Sequence, residues 1–275
     1  MSAVTHNSIA VVTGAGSGIG RAMALELARR RSSVVCADID GDRAAETAAM
    51  IGDDTEALAL TCDVTRLEEV ETLAATTIEH FGHVEIIVNN AGIGAGGAPI
   101  GETSIADWHR VVDVNLWGVI HGCHVFTPML REVGRGGVLN VASAASFGSA
   151  AGMAAYNVTK SGVVSLSETL AAEVTGTGIN VSVLCPTFVK TNIVLDGQID
   201  SETRQIAQRL LELTGRSADR VARIALDGLD AGRLYVMPQL EAKAAWRFKR
   251  LAPNAYLAGT RAVGRLGLGV GRRSG

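Results

Sequence analysis

Short apolar runs recur along the chain, each separated from the next by a stretch with helical spacing. "IAVVT" (9–13), "VVCAD" (34–38), "ALALT" (57–61), "EIIVNN" (85–90), "GVLNVA" (137–142), "NVSVLC" (180–185) and "RLYVMP" (233–238) are nearly continuous rather than alternating with polar residues. Strands that read this way are covered on both faces, as in a parallel sheet. Between them lie helical patterns over Gly18–Arg31, Asp42–Ile51, Leu67–Phe81 and Ala218–Leu229. The alternation predicts an α/β chain with a doubly wound parallel sheet of about seven strands. The rhythm breaks over about 187–216, where "QIDSETRQIAQRLLELTG" reads as helical. An excursion at the carboxyl end of a strand is where such sheets place substrate-binding parts, and the segment is read in that way.

Composition narrows the picture. At 275 residues, with 47% hydrophobic, 4% aromatic and 32 glycines, the chain suits a closely packed sheet under helices and fits one domain. No run of 18 apolar residues is present, so no membrane span is expected. The net charge of −3 gives no reason to expect nucleic acid. Cys36, Cys62, Cys123 and Cys185 are far apart and form no zinc-like spacing, so no metal site is expected. Free thiols and a start without a signal peptide point to a reducing cytoplasm. Charge is uneven, however. From Gln239 onward eight Lys/Arg face one acid, Glu241, a local +7 against −10 for the 238 residues before it. The chain therefore divides into a domain over 1–238 and a basic carboxyl-terminal extension over 239–275.

The first candidate chemistry follows the first strand. "TGAGSGIG" (13–20) places Gly14, Gly16, Gly18 and Gly20 where a strand turns into a helix, with Ser17 and Ile19 between them. Glycines at such a turn let backbone approach a pyrophosphate at the helix N-terminus, which makes 1–238 a candidate dinucleotide-binding domain. Asp38 ends the second strand, 18 residues beyond Gly20. A carboxylate there can bind ribose hydroxyls and repel a 2′-phosphate, so NAD is expected rather than NADP, although Arg21 lies within reach of a phosphate. A second glycine-rich stretch, "GRLGLGVG" (264–271), follows no strand and is read as a flexible tail.

The second lies in "YNVTK" (156–160), where Tyr156 and Lys160 stand at i and i+4 and meet across one helical turn. On its own the pair is more often an ordinary half-exposed helix face than a catalytic one.

With "CDV" (62–64), "NNAG" (89–92), "VNLWG" (114–118), Ser143 and "CPTFVKT" (185–191) added in the same order, the chain resembles the short-chain dehydrogenase/reductase family, in its single-domain branch of roughly 250 residues. The resemblance covers residues 8 to about 238, and Ser143 stands 13 residues before Tyr156, the family's usual spacing. It implies a Rossmann-type sheet and a catalytic group of Asn115, Ser143, Tyr156 and Lys160. It implies that Asp63 and Val64 hold the adenine, that Asn90, Ala91 and Gly92 flank the cofactor cleft, and that Pro186, Val189 and Thr191 lie against the nicotinamide half. In this reading Tyr156 exchanges a proton with a secondary alcohol while hydride passes to or from the nicotinamide. Lys160 and the oxidised cofactor would favour the phenolate, a change worth about 4 kcal/mol if the phenol is brought near neutrality. Ser143 would bind the substrate oxygen, and Asn115 would support a water relay to Lys160. One departure stands out: Thr187 follows Pro186 where the family usually has glycine, which would put a side chain where backbone approaches the nicotinamide or the substrate.

Phe147, Met153, Phe188 and Ile193, with Gly148, Ala150, Ala151 and Gly152 leaving room, suggest an apolar secondary alcohol or ketone, steroid-like or aryl. A catalytically silent NAD(H)-binding sensor and an acyl-thioester ketoreductase are the alternatives. In the extension, Leu240, Ala244, Phe248 and Leu251 share one helix face and Lys243, Arg247 and Arg250 another, with Pro253 expected to stop the helix. Packing on the enzyme's own surface or on a neighbouring subunit is favoured over peripheral contact with an anionic membrane. The resemblance also implies a homodimer or homotetramer assembled through the helices that carry Trp117 and Tyr156.

Overall fold

The computed structural model describes residues 3–52, 55–189, 198–199 and 216–265. β1 (Ile9–Thr13), α1 (Gly18–Arg29), β2 (Ser33–Asp38), α2 (Gly41–Ile51), β3 (Ala57–Thr61), α3 (Leu67–Phe81) and β4 (Ile86–Asn89) make the first half. After the two-residue β5 (Ala95–Gly96) come α4 (Ile105–Val112), a π-helical turn (Asp113–Trp117) and α5 (Gly118–Val133). Then follow β6 (Gly136–Val141), α6 (Ala145–Gly148), α7 (Ala154–Glu173), β7 (Ile179–Leu184), β8 (Gln198–Ile199), α8 (Ala218–Asp230) and β9 (Tyr235–Val236). The seven predicted strands are present in one sheet, all parallel, in the order β3-β2-β1-β4-β6-β7-β9.

The apolar runs are continuous because both faces are covered. Val11, Val35, Ile87 and Val138 pack into one layer with Phe126 and Val163, while Val12, Val34, Ile86 and Leu139 pack into the other with Met23 and Leu226. Each such side chain contributes roughly 1.5–3 kcal/mol by leaving water. β3 and the two-residue β9 are the edge strands, and β3 is only partly covered. Local signals set the helix starts: the Asp40 carboxylate accepts the Arg43 N–H at 3.2 Å, and the Ser104 hydroxyl accepts that of Asp107 at 3.0 Å. Because β1 lies between β2 and β4, the strand order reverses there and opens a crevice at the carboxyl ends.

Two features were absent from the hydrophobic pattern. β5 and β8 form a separate two-stranded parallel sheet, too short to leave a periodic signal. The extension is two helices, α9 (Leu240–Leu251) and α10 (Pro253–Arg265), so Pro253 starts a helix instead of only ending one. Proline suits a first helical position, where its missing N–H would have had no partner. α9 does pack on the protein's own surface, but through Ala242, Ala245 and Trp246. The face expected to be buried, with Leu240 at 73% and Leu251 at 85% exposure, points outward. Most of 187–216, including Ile193, and most of the glycine-rich 264–271 lie outside the described residues.

Candidate active site

The turn after β1 is built by backbone packed on backbone. Gly14 has φ +64°, and a Cβ on it would stand 2.8 Å from the Ala91 Cα. A Cβ on Gly20 would stand 2.1 Å from the Gly14 carbonyl oxygen. Asn90 closes the cradle by donating to the Thr13 and Gly14 carbonyls at 2.9 and 3.1 Å. Ser17 begins α1 without making a side-chain capping bond, so the helix opens toward the turn with its first N–H groups uncapped by a side chain. A close-packed glycine turn feeding such a helix end fits the pyrophosphate of a dinucleotide.

Asp38, at the end of β2, accepts from the Gly16 N–H at 2.8 Å and from the Asp40 N–H at 3.0 Å. Its negative charge is thereby fixed at the rim of the turn. Arg21, open to a phosphate in the sequence, is instead engaged with the Gly16 carbonyl at 2.5 Å, Thr47 Oγ1 at 3.0 Å and Glu46 at 3.1 Å. Arg43, which the sequence did not single out, packs beside Gly16 and pairs with Asp40 at 3.2 Å. Thr47, fully buried, bonds the Ala15 carbonyl at 2.9 Å and was also missed, because a lone threonine in a helix carries no signal. Ile19 packs against one of the two core layers. Farther along the crevice, Asp63 binds the Thr65 N–H and hydroxyl at 3.0 and 2.8 Å. Val64 packs on the backbone of Gly118.

The second cluster lies at the carboxyl ends of β4, β6 and β7. Tyr156 and Lys160 stand on the buried side of α7, with Lys160 Nζ 5.7 Å from the Tyr156 ring centroid and bonded to the Val141 carbonyl at 2.9 Å. The Ser143 hydroxyl accepts the Ala145 N–H at 3.1 Å and stands near enough to Tyr156 to favour its phenolate. Asn115 sits inside the π-helical turn, fully buried, where it accepts from the Ile93 N–H at 2.7 Å and donates to the Ile93 carbonyl at 2.8 Å. Single-turn π segments are over-represented where a side chain must be aimed. A Cβ on Gly92 would lie 3.1 Å from Asn115 Oδ1 and 3.4 Å from Lys160 Nζ, so the two side chains converge on one bare stretch of backbone.

Burial governs the protonation of this cluster. It raises the Tyr156 phenol above its ordinary value, and the Ser143 hydroxyl opposes it. The expected shift toward the phenolate is one that an oxidised nicotinamide would contribute to, and burial is what such a charge has to offset. Burial also pulls the Lys160 ammonium down to about 8, with the Cys185 thiol acting the other way. Cys185 is itself pushed up to about 12 by burial and stays a thiol.

Pro186 accepts the Ala144 N–H at 2.8 Å, joining the segments that leave β7 and β6. Val189 is buried beside Arg216, whereas Thr191 lies outside the described residues. Thr187 departs from expectation: its hydroxyl donates to Glu241 in α9 at 3.1 Å. Gln239, another residue the sequence did not single out, is 1% exposed and bonds the backbone of both Thr187 and Phe188.

Known proteins carry the same architecture. A dehydrogenase of Streptomyces exfoliatus described as 1-deoxy-11-beta-hydroxypentalenate dehydrogenase is 36% identical over 258 residues, covering 89% of this chain and 90% of its own. The crystal structure of a short chain dehydrogenase/reductase from Burkholderia phymatum in complex with NAD superposes with a TM-score of 0.85 and 32% identity, covering 91% of this chain and 95% of its own. A short-chain dehydrogenase from Sphingobium yanoikuyae in complex with NADPH gives 0.77 and 26%, covering 91% and 95%. A family model described as short chain dehydrogenase matches residues 8–200. This chain is therefore a short-chain dehydrogenase/reductase, an oxidoreductase built on a seven-stranded parallel sheet.

Proposed function

We propose that the protein is an NAD-dependent dehydrogenase that interconverts a secondary alcohol and a ketone on an apolar, ring-bearing substrate. The observation that carries this reading is the convergence of Ser143, Tyr156 and Lys160 with Asn115 beside the crevice of the sheet. A nicotinamide cofactor, when bound, supplies the hydride acceptor or donor. The Tyr156 Oη takes the proton from the substrate hydroxyl in oxidation and returns it in reduction. The Ser143 hydroxyl, beside Tyr156, orients the substrate oxygen and stabilises charge on it. The Lys160 ammonium favours the phenolate across the 5.7 Å that separates it from the ring. Asn115 fixes the Ile93 backbone beside the lysine and so shapes the space a proton relay needs.

Asp38 supports NAD, because a carboxylate at the rim of the glycine turn would repel a 2′-phosphate and Arg21 is already bound to carbonyl, hydroxyl and carboxylate. Asp38→Asn keeps an acceptor for the turn while removing the charge. It should narrow discrimination between NAD and NADP at least tenfold, read as the ratio of kcat/KM; an unchanged ratio removes Asp38 from that role. An apolar substrate is supported by Phe188, which is 39% exposed just beyond β7. A relative described as acting on a hydroxypentalenate agrees with a hydroxyl on a carbon skeleton. Trp117 and Val158, 49% and 53% exposed on the π turn and α7, suit burial between copies in a homodimer or homotetramer. A monomer in sedimentation would remove that assignment.

The deciding test is NADH formation from NAD with a panel of steroidal, aryl and aliphatic secondary alcohols, run beside Tyr156→Phe. Turnover that falls at least a thousandfold in the variant supports the reading. Turnover unaffected by the variant overturns it.

A further inference from the structure

Two chain segments frame the reaction cluster: Phe147–Ser149, which follows Ser143 beyond β6, and Thr187–Phe188, which follows Pro186 beyond β7. The carboxyl-terminal extension is bonded to both. Gln239, at the entry to α9, accepts the Thr187 N–H at 3.2 Å and donates to the Phe188 carbonyl at 3.3 Å. One buried amide thus satisfies both backbone groups of that pair. Glu241, in the first turn of α9, accepts from the Thr187 hydroxyl at 3.1 Å. At the other wall, the Tyr256 hydroxyl of α10 donates to the Gly148 carbonyl at 3.1 Å, and Lys249 Nζ donates to Ser149 Oγ at 3.3 Å.

The helix that makes these bonds is itself anchored. The Arg250 guanidinium lies 4.4 Å from the Trp246 ring and 5.4 Å from the Tyr235 ring, and pairs with Glu168 of α7 at 3.4 Å. The Tyr235 hydroxyl completes the group through a bond to Glu168. Phe248 and Lys249 close on Tyr256 at 6.0 and 5.9 Å, joining α10 to α9. A helix fixed to the sheet and to α7 therefore holds the two walls by their backbones, at points next to Phe147 and Phe188.

From this we infer that the extension is a clamp that sets the separation of the two walls and so determines which alcohols fit. Gln239, Glu241, Lys249 and Tyr256 are its positioning residues, and Thr187 is the residue through which the β7 wall is latched. A threonine where glycine is usual has a partner here: its hydroxyl donates to Glu241. The selection of substrate rests on the dehydrogenase reading above; the grip on the walls does not.

Thr187→Val and Tyr256→Phe each remove one hydroxyl and keep the shape of the side chain. Amide hydrogen exchange of the full-length protein reads the grip. Thr187→Val should accelerate exchange at 187–188 and Tyr256→Phe at 147–149, each at least fivefold. Exchange over 14–20 and the dissociation constant for NADH should change less than twofold. Exchange unaltered at both walls overturns the clamp. Selection is read from the ratio of kcat/KM for decahydro-2-naphthol to that for propan-2-ol. The ratio should shift at least fivefold in the double variant, mostly through KM; an unaltered ratio overturns the specificity role. If the unmodified protein oxidises no alcohol while binding NADH, the dehydrogenase reading fails and selection fails with it, and the exchange rates still decide the grip.

Discussion

Arg30 and Lys160 are both cations carried below the surface, at 8% and 2% exposure, yet the chain surrounds them differently. Arg30 meets Asp227 at 2.6 Å, Asp230 at 3.1 Å, Glu26 at 3.2 Å and the Thr5 hydroxyl at 2.9 Å. It ties the start of the chain and α1 to α8. Lys160 has one neutral partner, the Val141 carbonyl, and among the described residues no carboxylate pairs with it. A charge that is matched on every side serves the fold. A charge left with a carbonyl and a phenol costs stability, and such a cost is retained where chemistry needs the charge.

Substitution separates the two roles. In the largest expected effect, Lys160→Met lowers kcat/KM by at least about 10³, within the range general acid–base groups supply, while the fold survives because a charge and its desolvation cost leave together. Steady-state rates and a thermal melt on the same preparation check both halves. Arg30→Met should do the reverse. It leaves Glu26 only the exposed Arg29 and leaves Asp230 only Thr5 and His6. It destabilises the protein by about 3 kcal/mol, with activity per folded molecule changed less than about twofold. Urea unfolding with parallel rate measurements would expose an error in either direction.

A pH series sharpens the contrast. The folded Lys160 holds its proton less tightly than the unfolded chain, about 8 against 10.5. Between those values the unfolded state binds more protons, so this group's contribution to stability rises with pH; its cost is fully present below pH 8. The buried thiols, raised to about 11 or 12, act in the opposite direction above pH 9. The difference between wild type and Lys160→Met isolates the lysine. The stability advantage of the variant should be greatest at pH 7 and shrink from pH 8 to 9 by up to about 1.4 kcal/mol per pH unit. An advantage independent of pH from about 7 to 9 would mean that the folded Lys160 keeps its proton throughout, as the unfolded chain does. The smallest effect belongs to Asp227→Asn, since Asp227 is 57% exposed and its ion pair with Arg30 is screened. A loss below about 1 kcal/mol is expected in the same unfolding assay.

The strands and the glycine turn were legible because each is written in neighbouring residues. A strand covered on both faces needs a continuous apolar run, and a turn against a helix N-terminus needs glycine within a few positions of the strand end. For the same reason α3 was read at its observed bounds, and Tyr156 and Lys160 were placed on one face by their spacing alone. The resemblance supplied Ser143 and Asn115, but the π turn that aims Asn115 inward depends on how α4 and α5 join and leaves no periodic mark.

What only the tertiary structure decided lies in contacts between distant residues. No local pattern marks Gln239 as buried or pairs it with residues 187 and 188, and the apolar face of α9 was assigned to the wrong side because amphipathicity does not say which face meets a neighbour. Trp246 and two alanines won that face, where Arg250 and Tyr235 enclose the indole. The desolvation of Tyr156 was likewise hidden, since it is a property of everything packed around a group and not of its sequence neighbours. Periodicity and spacing therefore fixed the sheet, the cradle and the candidate chemistry, and long-range packing fixed the protonation of the site and the walls that enclose it.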